Sequence, residues 1–115
     1  MSFGRLKLRR TDVLFSKYLR ALRKKCERCG SIRSLQASHF YGRAKESVRY
    51  DLENIDCLCA GCHQYFTAYP AEYVAWKEKQ LGKKAYDLLT LRAHTPKKRD
   101  DKLTLIIIKE LQKSL

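Results

Sequence analysis

The chain has one methionine (Met1), two prolines, and no aliphatic run longer than Leu105-Ile106-Ile107-Ile108. Four residues are far too few to cross a bilayer, and no membrane partner is expected. The opening "MSFGRLKLRR" lacks the apolar core and cleavage site of a secretory signal. The expected compartment is therefore the cytoplasm, where thiols stay reduced, and the five cysteines read as metal ligands rather than disulfides. Neither an internal repeat nor a low-complexity tract is present beyond the basic start. With 44% hydrophobic and 10% aromatic residues, the 115-residue chain is not disordered but one domain, expected to carry an extended arm.

Acidic residues are scarce: 12 against 25 Lys and Arg, a formal charge of +13. Such a balance favours a polyanion, most often nucleic acid. Residues 1–25 hold nine basic residues and one acid, Asp12, whereas residues 26–69 hold five of each. Residues 70–115 are basic again, eleven against six. A neutral centre between basic flanks suits a chemical site held against a phosphate backbone. The expected organisation follows: a basic arm and helix over 1–25, a core over 26–69, and C-terminal helices over 70–115.

Cys59-Ala60-Gly61-Cys62-His63 has the CxxCH spacing of haem attachment. That reading fails because no export signal precedes it, Cys26 and Cys29 stay unexplained, and Met1 is the only methionine for a second axial position. Cys26-x-x-Cys29 and Cys59-x-x-Cys62 instead form two knuckles that supply four thiolates, enough to close a tetrahedral structural zinc site. An iron–sulfur cluster or a redox pair would use the same residues. Cys57 points to the same side of its strand as Cys59, either as a competing ligand or as a small buried apolar residue.

Periodicity predicts a basic amphipathic helix over 11–25, capped at Thr11 or Asp12 and built on Leu14, Tyr18 and Leu22. Gly30 closes the first knuckle. A strand is expected over 34–42, a polar loop after it, then a second strand running into a helix near Cys59. Helices follow over "PAEYVAWKEKQLG", with Pro70 at its first position and Gly82 at its end, and over "KKAYDLLTLRAH". After the linker Thr95–Asp101 comes "KLTLIIIKELQKSL", apolar on more than one face. It must bury those faces in the chain's own core or on a second copy, a homodimer through the C-terminal helix.

His39 ends the first strand, Asn54 lies in the turn, and His63 follows the second knuckle. The segments "CERCG", "ASHF" and "DLENIDCLCAGCH" resemble the HNH (ββα-metal, or His-Me finger) nucleases that carry a CxxC…CxxC knuckle. Together with the "EYVAWKEKQLG" helix they look like the phage NinG-type recombination nucleases; the match covers about residues 26–67. The resemblance implies an α+β fold, a ββα-metal HNH core with a four-cysteine zinc knuckle, flanked by helices. It implies a DNA endonuclease of low sequence specificity that nicks one strand. His39 would be the general base, Asn54 would orient its ring through an amide hydrogen bond, and His63 would ligate a catalytic Mg²⁺, Mn²⁺ or Zn²⁺ ion. The family usually has Asp or His immediately before the base as a second metal ligand, and here that residue is Ser38. Asp56 or Gln36 would have to compensate. Arg43 and Arg49 are candidates for phosphate contact. The rival readings are a non-catalytic zinc-knuckle protein that binds nucleic acid, and an adaptor whose last helix recruits a partner.

Overall fold

The computed structural model describes residues 8–115, so residues 1–7 of the basic arm lie outside the described residues. The first helix, α1 (Arg10–Arg23), starts ahead of the expected cap. Asp12 is the reason: from inside the first turn its carboxylate accepts the Arg9 main-chain N–H at 2.7 Å, satisfying a donor that the helix itself leaves open. Phe15, Tyr18 and Leu19 form the buried stripe, while Leu22 is left exposed.

Two strands follow, β1 (Leu35–His39) and β2 (Ile55–Cys59), paired antiparallel with Ala37 opposite Cys57, Ser38 opposite Asp56 and His39 opposite Ile55. β1 stops at His39, short of the expected end at Gly42. Phe40 N–H still reaches the Asn54 carbonyl at 2.8 Å, but the chain then turns into a loop containing a short 3₁₀ turn, Glu46–Val48. Strand alternation gives the sheet two buried faces. Ala37 and Cys57 pack with Phe15, Leu19 and Ile108, and Leu58 packs with Phe66 and Tyr73 on the other side. Cys57 is therefore a core residue on the α1 side, its thiol pushed up by burial.

β2 runs directly into α2 (Ala60–Ala68), where the Cys59 Sγ caps the helix by accepting the Cys62 N–H. Pro70 opens α3 (Pro70–Leu81), and Gly82, at φ +84°, separates it from α4 (Lys83–Ala93). Leu89 and Ala93 of α4 close over Val48, clamping the inter-strand loop. The last helix, α5 (Asp101–Gln112), buries Ile108 in the α1 core but leaves Leu103, Ile106 and Ile107 about half exposed or more (51%, 60% and 49%). Of the two partners expected for this helix, the chain's own core covers one face; the exposed stripe is the surface on which pairing with a second copy would depend. The architecture is mixed α+β: among the described residues, five α-helices, one two-stranded antiparallel sheet and a cluster of four cysteines. No helix among those residues is long and apolar enough to cross a membrane.

Candidate functional site

The two knuckles meet. The sulfurs of Cys26, Cys29, Cys59 and Cys62 all lie within 4.8 Å of one another, with Cys29 and Cys59 Sγ 3.7 Å apart. Four sulfurs about 2.3 Å from a tetrahedral ion are separated by about 3.8 Å, so the group is positioned to hold a metal. Gly30 takes φ +82° and its N–H returns to the Cys26 carbonyl at 2.9 Å, which makes the first knuckle tight enough. Main-chain N–H groups of Cys29 and Cys62 point at the sulfurs of Cys26 and Cys59, and the Arg28 guanidinium donates to Cys62 Sγ. The Cys26 thiol is lowered to about 6, because main-chain donors outweigh its burial, and Cys62 is pushed up to about 12, chiefly by burial. Four thiols this close cannot all ionise unless a cation sits among them.

His39 stands at the end of β1, facing α1. Its Nε2 lies 3.0 Å from the Arg49 carbonyl; a carbonyl only accepts, so Nε2 carries the proton and Nδ1 keeps its lone pair. Burial, aided by the nearby Arg43 cation, lowers its pKa to about 4, and the ring is neutral at physiological pH.

Asn54 does not make the expected amide bond to that ring. It is fully buried, its Oδ1 accepts the Tyr41 N–H at 2.8 Å, and its Nδ2 donates to the carbonyls of Tyr41 (2.9 Å) and Val48 (3.0 Å). Asn54 thus ties both ends of the inter-strand loop together, and the Arg49 carbonyl one residue beyond Val48 holds the imidazole. Its influence on His39 passes through the main chain.

His63 occupies the first turn of α2, and Gln36 reaches it: Oε1 lies 2.7 Å from Nδ1. Nδ1–H donates there, which leaves Nε2 free as an acceptor or metal ligand. Burial first and Arg43 second lower the His63 pKa, keeping this ring neutral too. Of the two residues named as replacements for the missing second ligand, Gln36 meets His63, whereas Asp56 does not. Asp56 is fully buried, accepting from Lys77 Nζ at 2.8 Å and Tyr73 OH at 2.7 Å. Ser38, its partner across the ladder, is 1% exposed and donates to the same Tyr73 oxygen at 3.0 Å. Both side chains are committed to a closed network with α3, so neither is available as a ligand of an ion at His63.

The two candidate arginines also part. Arg49 is 2% exposed and forms a two-point ion pair with Asp12, Nε to Oδ1 at 2.9 Å and Nη2 to Oδ2 at 2.6 Å, while its Nη1 donates to the Arg43 carbonyl. Burial would raise Asp12, but the Arg49 bonds win and hold it at about 2. Arg49 is a structural tie and is not free to contact phosphate. Arg43 differs: its positive charge is felt by both imidazoles, and its Nε is buried without a hydrogen-bond partner.

His39, His63 and Arg43 line one cleft of about 410 Å³ between β1 and α1. Its opposite wall carries Asp12, Ser16 and Arg20. Ser16 and Arg20 belong to no motif; their four-residue spacing from Asp12, which puts the three on one helix face, is the signal in the sequence that marks them. The cleft thus brings together two neutral imidazoles with free nitrogens, a guanidinium with an unused donor, and a second cation. Comparison with protein-family models, with curated proteins and with solved structures gave no match.

Proposed function

We propose that the chain is a metal-dependent endonuclease of the HNH type that nicks DNA, with structural zinc in its four-cysteine cluster. The observation that carries this reading is the pair of imidazoles on one cleft, each with one nitrogen anchored to the protein and the other free. The neutral Nδ1 of His39 takes a proton from water as that water attacks phosphorus. His63 Nε2 is the ligand for a divalent cation, which when bound offsets charge on the phosphate and on the departing 3′-oxygen. Arg43 turns its unused Nε–H toward a non-bridging oxygen, a charge-assisted bond that relieves its own unmet donor. Arg20 and the basic face of α1 supply the sequence-independent attraction to the backbone. Asn54 is a positioning residue.

One observation favours the rival, a zinc-knuckle protein that binds nucleic acid without cutting. Among the described residues His63 belongs to no group of three or more His, Cys, Asp or Glu placed to hold a metal, so an ion there has at most two such protein ligands and is bound weakly. Incubating supercoiled plasmid with purified protein over a range of Mg²⁺ and Mn²⁺ concentrations separates the two. Nicking that EDTA abolishes supports the nuclease. DNA binding with the plasmid left intact at every metal concentration supports the rival.

A further inference from the structure

His39 and His63 line a second cleft as well, of about 360 Å³, on the other side from α1. Its walls are mainly apolar and aromatic, Phe40, Tyr41, Phe66, Tyr73, Pro70 and Val74, with Ser38 and Thr67 among them. The volume falls in the range of small-ligand sites. Its rings are held in place before any ligand arrives. Phe40 meets Tyr41 and Tyr73 edge-on with centroids 4.9 and 5.0 Å away, and Phe66 stacks on Tyr73 at 4.4 Å. Val74, Thr67 and Pro70 are exposed at the rim.

Apart from the free nitrogens of the two histidines, the side-chain polar groups of this cleft are engaged within the protein. Tyr41 OH is bonded to Thr90 Oγ1 at 2.8 Å, Thr67 Oγ1 donates to the His63 carbonyl at 2.9 Å, and Ser38 is bonded to Tyr73. A ligand here is received chiefly by apolar and aromatic surface, with the two imidazoles as the free polar groups.

We propose that this cleft is a nucleobase subsite, which takes one unpaired base of a DNA strand whose phosphate lies against Arg43 in the neighbouring cleft. The inference deepens the nuclease reading and rests on it for the position of the phosphate. The two clefts share both histidines, so one nucleotide can span them, with its phosphate on the cationic side and its base on the aromatic side. The chain's charge of +13 supplies the attraction for the strand, and stacking on fixed aromatic surface is tolerant of base identity. A base enters only if it is unpaired or has been drawn out of the stack. The subsite therefore selects single-stranded or locally unpaired DNA over intact duplex, without reading sequence.

The test uses binding, so it does not depend on cleavage. Wild-type protein, with no divalent cation added, is titrated with single-stranded oligonucleotides carrying 2-aminopurine at one position, and with the same strands made abasic throughout. The expected results are a fluorescence change as 2-aminopurine leaves its neighbours, and abasic strands that bind about tenfold more weakly, the worth of one stacking contact. Val74→Trp and Thr67→Trp, two rim substitutions that fill the cleft, should each remove the fluorescence change while thermal unfolding stays as in wild type. Equal affinity for abasic strands, an unchanged signal in correctly folded variants, or no binding to single strands overturns the subsite. If plasmid is never nicked but these binding results hold, the nuclease reading fails and the subsite stands.

Discussion

The Nε2–H of His39 donates to the main-chain carbonyl of Arg49 at 3.0 Å, while the Arg49 side chain runs the other way into Asp12 of α1. One residue thereby joins the first helix, the inter-strand loop and the imidazole. The ring can be held in one tautomer only while the loop keeps its shape, and the loop keeps its shape through Asn54, the Arg49–Asp12 pair and α4. Asn54→Ala removes three buried hydrogen bonds at once and should cost about 2–4 kcal/mol of stability in urea unfolding. Nicking should fall more than the folded fraction does. A variant that keeps full specific activity would detach the loop from the chemistry.

Acid affects His39 in a defined window. The folded ring titrates at about 4 rather than 6.5, mainly because it is buried. As pH falls the unfolded chain takes up the proton first, so this ring's contribution to stability is complete above about pH 6.5 and is lost between there and pH 4. The folded ring stays neutral over the same window. Single-turnover nicking at saturating metal should stay level from pH 7 to about 5 and fall toward pH 4. A midpoint near 6.5, with circular dichroism unchanged, would contradict the buried base.

Arg43 and Arg49 look equivalent in the sequence and should behave as opposites. Arg49→Ala leaves Asp12 charged, buried and unpaired, a loss of about 3–5 kcal/mol measured by denaturant unfolding. Arg43→Ala removes a guanidinium whose Nε has no partner, and stability should change by no more than about 0.5 kcal/mol. DNA affinity should weaken instead, with the slope of log affinity against log salt shallower by about one. Equal stability losses would remove the distinction.

In the HNH reading Ser38 stands where a second metal ligand is expected, and Asp56 was one of the two residues that could replace it, with Gln36. Because Asp56 is paired with Lys77 in the core, the double variant Asp56→Asn, Lys77→Met should fold, since exchanging a buried pair for neutral groups is often harmless. The half-saturating Mn²⁺ concentration for nicking should be unchanged within about twofold. A tenfold rise, at unaltered stability, would make Asp56 a ligand after all.

What the sequence made legible was chiefly what spacing enforces. Two CxxC knuckles can close a four-thiolate metal site only by meeting, and Gly30 and Gly82 stand where a positive φ is needed. Pro70, the apolar periodicity of α1 and the join of β2 to α2 are likewise local signals. Partner choice in the interior was not legible. Residue type places Arg49 and Lys77 at the surface, yet both are buried because a carboxylate from a distant element, Asp12 or Asp56, meets each of them. Asn54 illustrates the same limit: its position suggested a role, but its true partners are main-chain groups of Tyr41 and Val48, which carry no side-chain signature.

The cysteine cluster gives a separate expectation. Metal analysis of purified protein should find one zinc per chain. Stripping it should lower helicity and thermal stability together, because the Cys59 sulfur that would bind the ion also caps α2, on which His63 stands. A metal-free protein with the same melting curve would make the cluster ornamental to the fold.

The most direct test of the central claim is chemical rescue at His39. His39→Ala should nick supercoiled plasmid about 10²- to 10⁴-fold more slowly than wild type in Mn²⁺, the usual worth of a positioned general base. Millimolar imidazole, free to occupy the vacated space beside the Arg49 carbonyl, should restore part of that rate, and should do nothing for His63→Ala at the same metal concentration. If His39→Ala nicks as fast as wild type, His39 is not the base and the cleft performs no hydrolysis by this route.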